Sequence, residues 1–296
     1  MRMRPARPEA YALRDRVVLI TGAARGIGAE TARQVAARGA HVALVGLEPD
    51  RLADLAASLG DRAAWFAADV ADLAAVETAV AGTIRRFGGI DVVVANAGVV
   101  ANGTVLGHDP AAFRRTVDVN LVGVWHTLRA AGPHVVARRG YLLPVASLAA
   151  ALHGPLIGPY AATKAGVEAL ANSLRSELAH TGTRVGVAYF GFIATDMVDR
   201  ALAHRSTQRL RDLTEGPLTV APVPVARAGE AIVRAVERRA RIAYAPGFVG
   251  PLLWLRTLLQ PLGDARIARQ AGMAEAMALA DAEPAVLSTP APQPGR

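Results

Sequence analysis

The 296-residue sequence contains no cysteine, so disulfide bonds and thiolate metal sites are excluded and a reducing compartment is favoured. The first residues are basic, but no apolar core of a secretory signal follows them. The most apolar stretch, 248–262, is too short and too often interrupted by Pro and Arg to span a bilayer. These absences predict a cytoplasmic protein without a metal site.

Lysine is almost absent as well, since Lys164 is the only lysine among 33 basic residues. The formal net charge of +8 raises the question of a nucleic-acid partner. The arginines, however, stand singly or in pairs on helix-like segments rich in Ala, Asp and Glu, and aromatic residues are few. That spacing is the ordinary pattern of solvated helix faces. We therefore predict no nucleic-acid partner and keep an anionic surface as a weaker alternative.

From residue 16 onward, short apolar runs alternate with longer helical patterns, which predicts an α/β fold with one parallel sheet wrapped by helices on both faces. No repeat or long linker divides it. The predicted strands lie near 17–20, 41–45, 63–67, 91–95, 141–145, 184–189 and 241–244. The predicted helices lie near 27–38, 49–59, 73–87, 110–137, 159–180 and 227–238, with a further helix near 264–279.

A glycine-rich turn, TGAARGIG at residues 21–28, follows the first apolar strand and opens a helix, which is the context that a dinucleotide fingerprint requires. Gly22 permits the tight turn, Gly26 lets the backbone approach a pyrophosphate, and Gly28 allows close packing of helix on strand. The helix that begins at Ile27 presents N–H groups and a positive dipole end to the phosphates. The turn predicts binding of NAD or NADP.

The segment YAATK, residues 160–164, places Tyr160 and Lys164 four residues apart and therefore on one face of a helix. A nearby cation favours the phenolate form of a tyrosine. Lys164 is accordingly expected to lower the pKa of Tyr160 and make it a general acid/base near neutral pH. Ser147, at the end of the apolar run YLLPVAS, could hold the same substrate oxygen. The alternative is that a Tyr and a Lys share a helix by chance.

Taken in order, these motifs resemble those of the short-chain dehydrogenase/reductase family, over roughly residues 16–244. The resemblance implies a single Rossmann-type doubly wound sheet, and hydride transfer between NAD or NADP and a secondary alcohol or ketone. It also implies that Asn120 completes a proton relay with Lys164. By the same resemblance, the cofactor contacts beyond the glycine turn are Asp69 and Val70 at the adenine, Asn96, Ala97 and Gly98 near its ribose, Tyr160 and Lys164, and Ile193 and Thr195 at the nicotinamide carboxamide.

The end of the second strand, VGLEPDR, leaves the choice of cofactor open. Glu48 could bind the ribose hydroxyls and would repel a 2′-phosphate, which favours NAD. Arg25, inside the glycine turn, could instead pair with that phosphate and favour NADP. For both residues, surface solvation is an equally good interpretation. The balance leans slightly to NAD.

The neighbours of Ser147 and Tyr160 are mostly apolar, which favours a lipophilic alcohol or ketone as substrate; they are Leu148, Ala149, Leu152, His153, Leu156, Ile157, Phe190 and Phe192. We divide the chain into a flexible lead-in (1–15), a catalytic domain (16–246) with a substrate lid (about 191–224), and a helical C-terminal extension with a disordered tail (247–296).

Three roles are open for the apolar stretch 248–262: covering the substrate pocket, packing in an oligomer, or lying in a membrane surface. The third role would make the protein a peripheral membrane-associated reductase of lipid-like substrates. A non-catalytic dinucleotide sensor is a further alternative, although such proteins usually lose part of the Ser, Tyr, Lys set. The small-residue faces of the helices from Pro110 and Pro159 predict a homodimer or homotetramer.

Overall fold

The computed structural model describes residues 11–214 and 221–283. Its strands are short, parallel and separated by helices, as the alternation in the sequence predicts. They are β1 (Val17–Thr21), β2 (His41–Gly46), β3 (Ala63–Ala67), β4 (Val92–Ala95), β5 (Tyr141–Pro144), β6 (Arg184–Val185), β7 (Val187–Phe190) and β8 (Ile242–Ala245).

The strands form a parallel sheet in the order β3-β2-β1-β4-β5-β6, and β7 pairs with β8 beside it. A bridge between Val145 and Ala188 joins the second pair to the first six strands. The single strand predicted over 184–189 is split at Gly186, where a Cβ would lie 2.1 Å from the Tyr141 hydroxyl oxygen. From β1, the chain first adds strands on one side of the sheet (β2, β3) and then on the other (β4, β5, β6). Ligands bind at such a reversal, so the cleft at the carboxyl ends of β1 and β4 is the expected ligand position.

Helices cover both faces of the sheet, and the doubly wound α/β fold is confirmed. They are α1 (Gly26–Ala36), α2 (Pro49–Leu59), α3 (Leu73–Phe87), α4 (Pro110–Val117), α5 (Gly123–Ala137), α6 (Gly158–Glu177), α7 (Asp196–Ala203), α8 (Arg205–Thr214), α9 (Val225–Arg238), α10 (Val249–Ile267) and α11 (Met273–Ala282). The single helix predicted over 110–137 contains a π-helical turn at Asp118–Val122.

The core lies on both faces of β1, because successive side chains of a strand point to opposite faces. Val18 and Ile20 pack in one apolar cluster with residues of α1 and α9. Leu19 packs in the other cluster with residues of α3 and α5. All three side chains are at most 1% exposed, which is the burial expected of a central parallel strand.

The C-terminal helices differ from the prediction. The helix predicted near 264–279 is wrong: α10 runs through Pro261 to Ile267, and α11 begins after Gly272, whose φ of 90° only glycine adopts easily. Residues 11–15, predicted as part of a flexible lead-in, pack against α9, because Tyr11 N donates to Glu237 O and Leu13 is 3% exposed. The predicted disordered tail and the first ten residues lie outside the described residues.

Candidate active site

A cleft of about 1320 Å³, counted with the solvent at its mouth, opens at the carboxyl ends of the strands. Most of the residues selected from the sequence line it: Gly22, Arg25, Gly26, Ile27, Glu48, Asp69, Val70, Asn96, Ala97, Gly98, Ser147, Tyr160, Lys164, Ile193 and Thr195. Gly28 and Asn120 do not line the cleft but lie behind its wall. The structure therefore brings together residues that are up to 173 positions apart in sequence, from Gly22 to Thr195.

The glycine turn forms one end of the cleft. Gly22 and Gly26 have φ angles of 64° and 55°, in the region that favours glycine. A Cβ on Gly28 would lie 2.2 Å from the carbonyl oxygen of Gly22, so no side chain fits there. No side chain caps the N-terminus of α1. Its first N–H groups are thus free to bind an anion, which the diphosphate of a dinucleotide would supply.

Asn96 holds the turn in place from the next strand. Its Nδ2 donates to the carbonyl oxygens of Thr21 and Gly22, at 3.0 and 3.3 Å. In return, the Thr21 hydroxyl accepts from the backbone N–H groups of Asn96 and Ala97. These four hydrogen bonds fix the end of β4 against the end of β1, where the cleft begins.

Arg25 and Glu48, weighed from the sequence as competing cofactor ligands, bind each other. The Arg25 guanidinium donates Nε to Glu48 Oε2 at 2.7 Å and Nη2 to Glu48 Oε1. Its third contact, at 3.4 Å, reaches Asp196 at the start of α7. The Glu48 carboxylate raises the pKa of Arg25. Neither charge is free in this arrangement, so a ligand at this end of the cleft meets a bidentate ion pair.

Asp69 forms an ion pair with Arg115 that the sequence does not indicate. Its Oδ2 accepts from Arg115 Nη2 at 2.8 Å, and its Oδ1 accepts from Ala71 N at 2.9 Å. Asp72, three residues later, caps α3 by accepting from Ala74 N and Ala75 N. Arg115 lines the cleft but lies in an ordinary helical pattern of α4, so no local signal marks it.

Ser147, Tyr160 and Lys164 lie together at the other end of the cleft. Ser147 Oγ donates to Phe190 O at 3.2 Å and accepts from Ala149 N at 3.2 Å, which fixes its rotamer. The Ser147 hydroxyl also lies near the Tyr160 phenol and lowers the pKa of that phenol. Lys164 Nζ lies 5.6 Å from the centre of the Tyr160 ring and donates to Val145 O at 2.9 Å.

The electrostatics of this group differ from the expectation that Lys164 lowers the pKa of Tyr160. Burial raises the pKa of Tyr160, and the neighbouring Ser147 hydroxyl opposes this rise. Lys164 is 3% exposed, and burial lowers its own pKa to about 8. The Lys164 ammonium donates to the Val145 carbonyl oxygen rather than to the phenol. Tyr160 therefore stays protonated at neutral pH.

Asn120 lies in the π-helical turn between α4 and α5, and it is fully buried. Its Oδ1 accepts from Val99 N at 2.7 Å, and its Nδ2 donates to Val99 O at 2.8 Å and to Thr163 Oγ1 at 3.2 Å. Its amide thus joins the loop after β4 to α6, next to Lys164. Such π turns are frequent at functional sites.

The loop after β7 is fixed to the sheet where it begins. Phe190 is 4% exposed, and Gly191 N donates to Ala245 O at 2.9 Å. Ile193 is buried, and the hydroxyl of Thr195 caps α7 by accepting from Val198 N.

Most of the expected substrate neighbours do not line the cleft. Of the eight taken from the sequence, all within the described residues, Phe190 is the one that does. Ala149 and Leu156 are buried in the packing of their own loop, and Phe192 is 48% exposed. Met197 and Val198, at the start of α7, supply the apolar lining instead.

The short chain dehydrogenase family model matches residues 16–206, which is most of the sheet and the whole cleft wall up to α7. The chain belongs to the short-chain dehydrogenase family. It is thus an oxidoreductase with a Rossmann-type sheet. No helix within residues 11–214 and 221–283 has the length and apolar character needed to cross a membrane.

Individual relatives of this short-chain dehydrogenase agree with the family assignment. The L-rhamnose 1-dehydrogenase (NAD(P)(+)) of Azotobacter vinelandii is 34% identical over 225 residues, which cover 73% of this chain and 85% of the relative. The (-)-trans-carveol dehydrogenase of Rhodococcus erythropolis is 37% identical over 208 residues, covering 64% and 75%. A short-chain dehydrogenase/reductase from Burkholderia phymatum, solved in complex with NAD, superposes with a TM-score of 0.75 at 22% identity, covering 86% and 96%.

Proposed function

We propose that the protein transfers a hydride between a nicotinamide dinucleotide and a secondary alcohol or ketone. The observation that carries this proposal is the placement of Ser147, Tyr160 and Lys164 in the same cleft as the glycine turn. Retention of all three residues argues against a non-catalytic dinucleotide sensor. The bound dinucleotide would supply the redox chemistry, and the protein supplies placement and electrostatics.

The residues of the cleft fit a dinucleotide along its length. The uncapped N-terminus of α1 would hold the diphosphate, since glycine leaves the backbone accessible at Gly22 and Gly26. Asp69 and Val70 would contact the adenine, and Asn96, Ala97 and Gly98 would lie near its ribose. Ile193 and Thr195 would contact the carboxamide at the nicotinamide end.

Tyr160 is the proposed proton donor to the substrate oxygen. Because burial keeps its pKa above the usual value, the phenol is protonated at neutral pH, which is the form that reduces a ketone. Ser147 would turn its hydroxyl proton from Phe190 O to the carbonyl oxygen of the substrate and hold that oxygen beside the phenol. Lys164 would hold the nicotinamide ribose and stabilise the phenolate left after proton transfer, with Asn120 linking the relay.

NAD is the proposed cofactor, with NADP as the alternative. The Arg25 guanidinium, which would bind a 2′-phosphate, is paired with Glu48, and the Glu48 carboxylate would repel that phosphate. A 2′-phosphate would have to break that pair and approach the Glu48 carboxylate. Titration of the protein with NADH and NADPH, followed by cofactor fluorescence, tests this preference directly.

A lipophilic ketone is the proposed substrate class. Val99, Phe190, Met197 and Val198 line the cleft, and one relative, 37% identical, is named a carveol dehydrogenase. The reduction of cyclohexanone, 4-methylcyclohexanone and 2-octanone with NADH tests this class. Turnover of none of them, with either cofactor, would contradict the proposal.

Tyr160→Phe is the variant that tests the chemistry. It should reduce turnover by about a thousandfold, because it removes the proton donor, while NADH binding stays within about twofold. Tyr244→Phe is the matched control, since Tyr244 lies on β8 and is 42% exposed. Undiminished turnover in Tyr160→Phe would refute the role assigned to the phenol.

Contact with a membrane surface is a second candidate role, favoured by exposed apolar side chains on α10. Trp254 is 82% exposed, and Leu258 and Leu262 are each 60% exposed. Liposome flotation of the protein with these three residues changed to Ser, against the unchanged protein, tests it. Equal flotation of both, or flotation of neither, would remove this role and leave a cytoplasmic enzyme.

We also propose a homodimer or homotetramer that packs through α4, α5 and α6. Phe113 and Trp125 are 42% and 44% exposed on the first two of these helices. Light scattering coupled to size-exclusion chromatography measures the assembly, and Trp125→Ser should shift it toward the monomer. We further propose the division into a lead-in (1–15), a catalytic domain (16–246) with a substrate lid (about 191–224), and a C-terminal extension (247–296); residues 215–220 of the lid lie outside the described residues.

A further inference from the structure

Residues 148–157, which form most of the loop between β5 and α6, connect two of the proposed catalytic residues. Ser147 precedes it, and Tyr160 follows it in the first turn of α6. Both ends of the loop are tied to neighbouring segments. Ser147 Oγ donates to Phe190 O at one end, and at the other Gly103 N donates to Leu156 O at 2.9 Å.

The middle of this loop is held by a side chain from the C-terminal extension. His153 N donates to Gln260 Oε1 at 2.7 Å, and Gln260 Nε2 donates to His153 O at 3.1 Å. One amide thus satisfies both backbone groups of one residue, as a neighbouring strand would. In the described part of the chain, Ala151 N and Leu152 N donate to Leu148 O, but no backbone group bonds to His153, so the Gln260 amide supplies the hydrogen bonds at this residue.

Gln260 is itself held in position on α10. Its Nε2 also donates to Asp264 Oδ1 at 2.8 Å, one turn along the helix, which sets the orientation of the amide. One turn earlier, Arg256 Nη1 contacts both oxygens of Glu168 on α6, at 2.9 and 3.1 Å. The start of α10 is also packed in the core through Val249 and Leu253, so the helix keeps its place without the contact to Glu168, and Gln260 reaches the loop from a fixed support.

We propose that Gln260 is a positioning residue that orders the loop between Ser147 and Tyr160 for substrate binding. The proposal rests on the proposed function, because the loop joins Ser147 and Tyr160, the two residues that would bind the substrate oxygen. Without Gln260, substrate binding would have to order the segment between these two residues, and that entropy cost would weaken binding. The two catalytic side chains keep their own contacts, so the chemical step should be preserved. Gln260 lies in the C-terminal extension, outside residues 16–206 that the family model matches.

The test compares Gln260→Ala with the unchanged full-length protein, both saturated with NADH. Amide hydrogen exchange of peptides covering residues 150–156 should accelerate by about tenfold, the factor expected for two hydrogen bonds on a partly exposed loop. KM for whichever of the three ketones above the unchanged protein reduces best should rise by about tenfold, while kcat and the Kd for NADH stay within about twofold.

Two further variants distinguish the loss of the contact with His153 from a general loosening of α10. Gln260→Glu keeps the acceptor for His153 N and loses the donor to His153 O. Its exchange rate and its KM should therefore lie between those of the unchanged protein and those of Gln260→Ala. Arg256→Gln removes the contact to Glu168 but leaves Gln260, and it should not accelerate exchange at 150–156.

The exchange result and the turnover result fail in distinguishable ways. Unchanged exchange in Gln260→Ala, or equal acceleration in Arg256→Gln, would overturn the assignment of the loop to Gln260. Faster exchange with an unchanged KM would overturn its role in substrate binding. If the unchanged protein reduces no ketone, the proposed function fails instead, and the exchange data still decide whether Gln260 orders the loop.

Discussion

Replacing Lys164 by methionine should make the protein more stable at neutral pH while it removes the ammonium that the reaction needs. The side chain of Lys164 is 3% exposed, and its Nζ donates to Val145 O. Burial lowers its pKa from the usual 10.5 to about 8, because a charge is costly to remove from water. The folded protein therefore holds this proton less tightly than the unfolded chain does.

The size of the effect follows from that difference in pKa. A gap of about 2.5 between 10.5 and about 8 corresponds to about 3 kcal/mol of destabilisation. This penalty is fully present below pH 8 and disappears as the pH rises from about 8 to 10.5. The variant also leaves the Val145 carbonyl without this donor, at a cost of about 1 kcal/mol. The net gain in the free energy of unfolding at neutral pH is thus about 2 kcal/mol.

Urea unfolding at about pH 7 and about pH 10 measures this gain and its pH dependence. Comparing the variant with the unchanged protein at each pH cancels the titration of all other groups. Lys164→Met should be more stable at the lower pH, and the difference should shrink to near zero at the higher one. Arg227→Met is the control, since Arg227 is 68% exposed and its change should stay within about 0.5 kcal/mol. A variant no more stable than the unchanged protein at the lower pH would refute the reasoning.

Two other changes test the cofactor end of the cleft. Glu48→Gln should release Arg25 from its ion pair and raise the affinity for NADPH relative to NADH by about tenfold. Asp50→Asn, on the exposed side of α2, is its control, and an unchanged ratio of Kd values in Glu48→Gln would contradict the proposed preference. Gly28→Ala should lower the free energy of unfolding by about 3 kcal/mol and weaken NADH binding, since its Cβ would lie 2.2 Å from Gly22 O. Gly132→Ala, where nothing lies within 4 Å of the added Cβ, should instead be neutral or slightly stabilising; equal losses in both variants would argue against the close packing at Gly28.

The sequence predicts those parts of the fold and cleft whose signals are local. The glycine turn, the strands and the Tyr160–Lys164 spacing can be recognised because turn chemistry and periodicity act over a few residues. The position of the cleft follows from parallel topology, since the carboxyl ends of the strands share one edge. The prediction of one helix over 264–279 is wrong because α10 continues through Pro261 to Ile267, and α11 begins only after Gly272.

The contacts between distant segments could not be predicted in the same way. Arg25 and Glu48 are both visible in the sequence, but their pairing depends on how the ends of β1 and β2 meet. The pKa of Tyr160 depends on burial by the whole fold, and spacing alone gave the wrong direction. Gln260 lies 107 residues from His153, in a segment whose pattern shows only an apolar helix.

Deuterium transfer is the most direct measurement of the central claim, that this cleft carries a hydride from a nicotinamide to a ketone carbon. The protein is incubated with NADH deuterated at both C4 positions and with a ketone from the screen, and the alcohol is analysed by mass spectrometry. We predict one deuterium on the carbinol carbon with the unchanged protein, and almost none with Tyr160→Phe in the same time. Alcohol that carries no deuterium, or no alcohol at all with either cofactor, would contradict the claim.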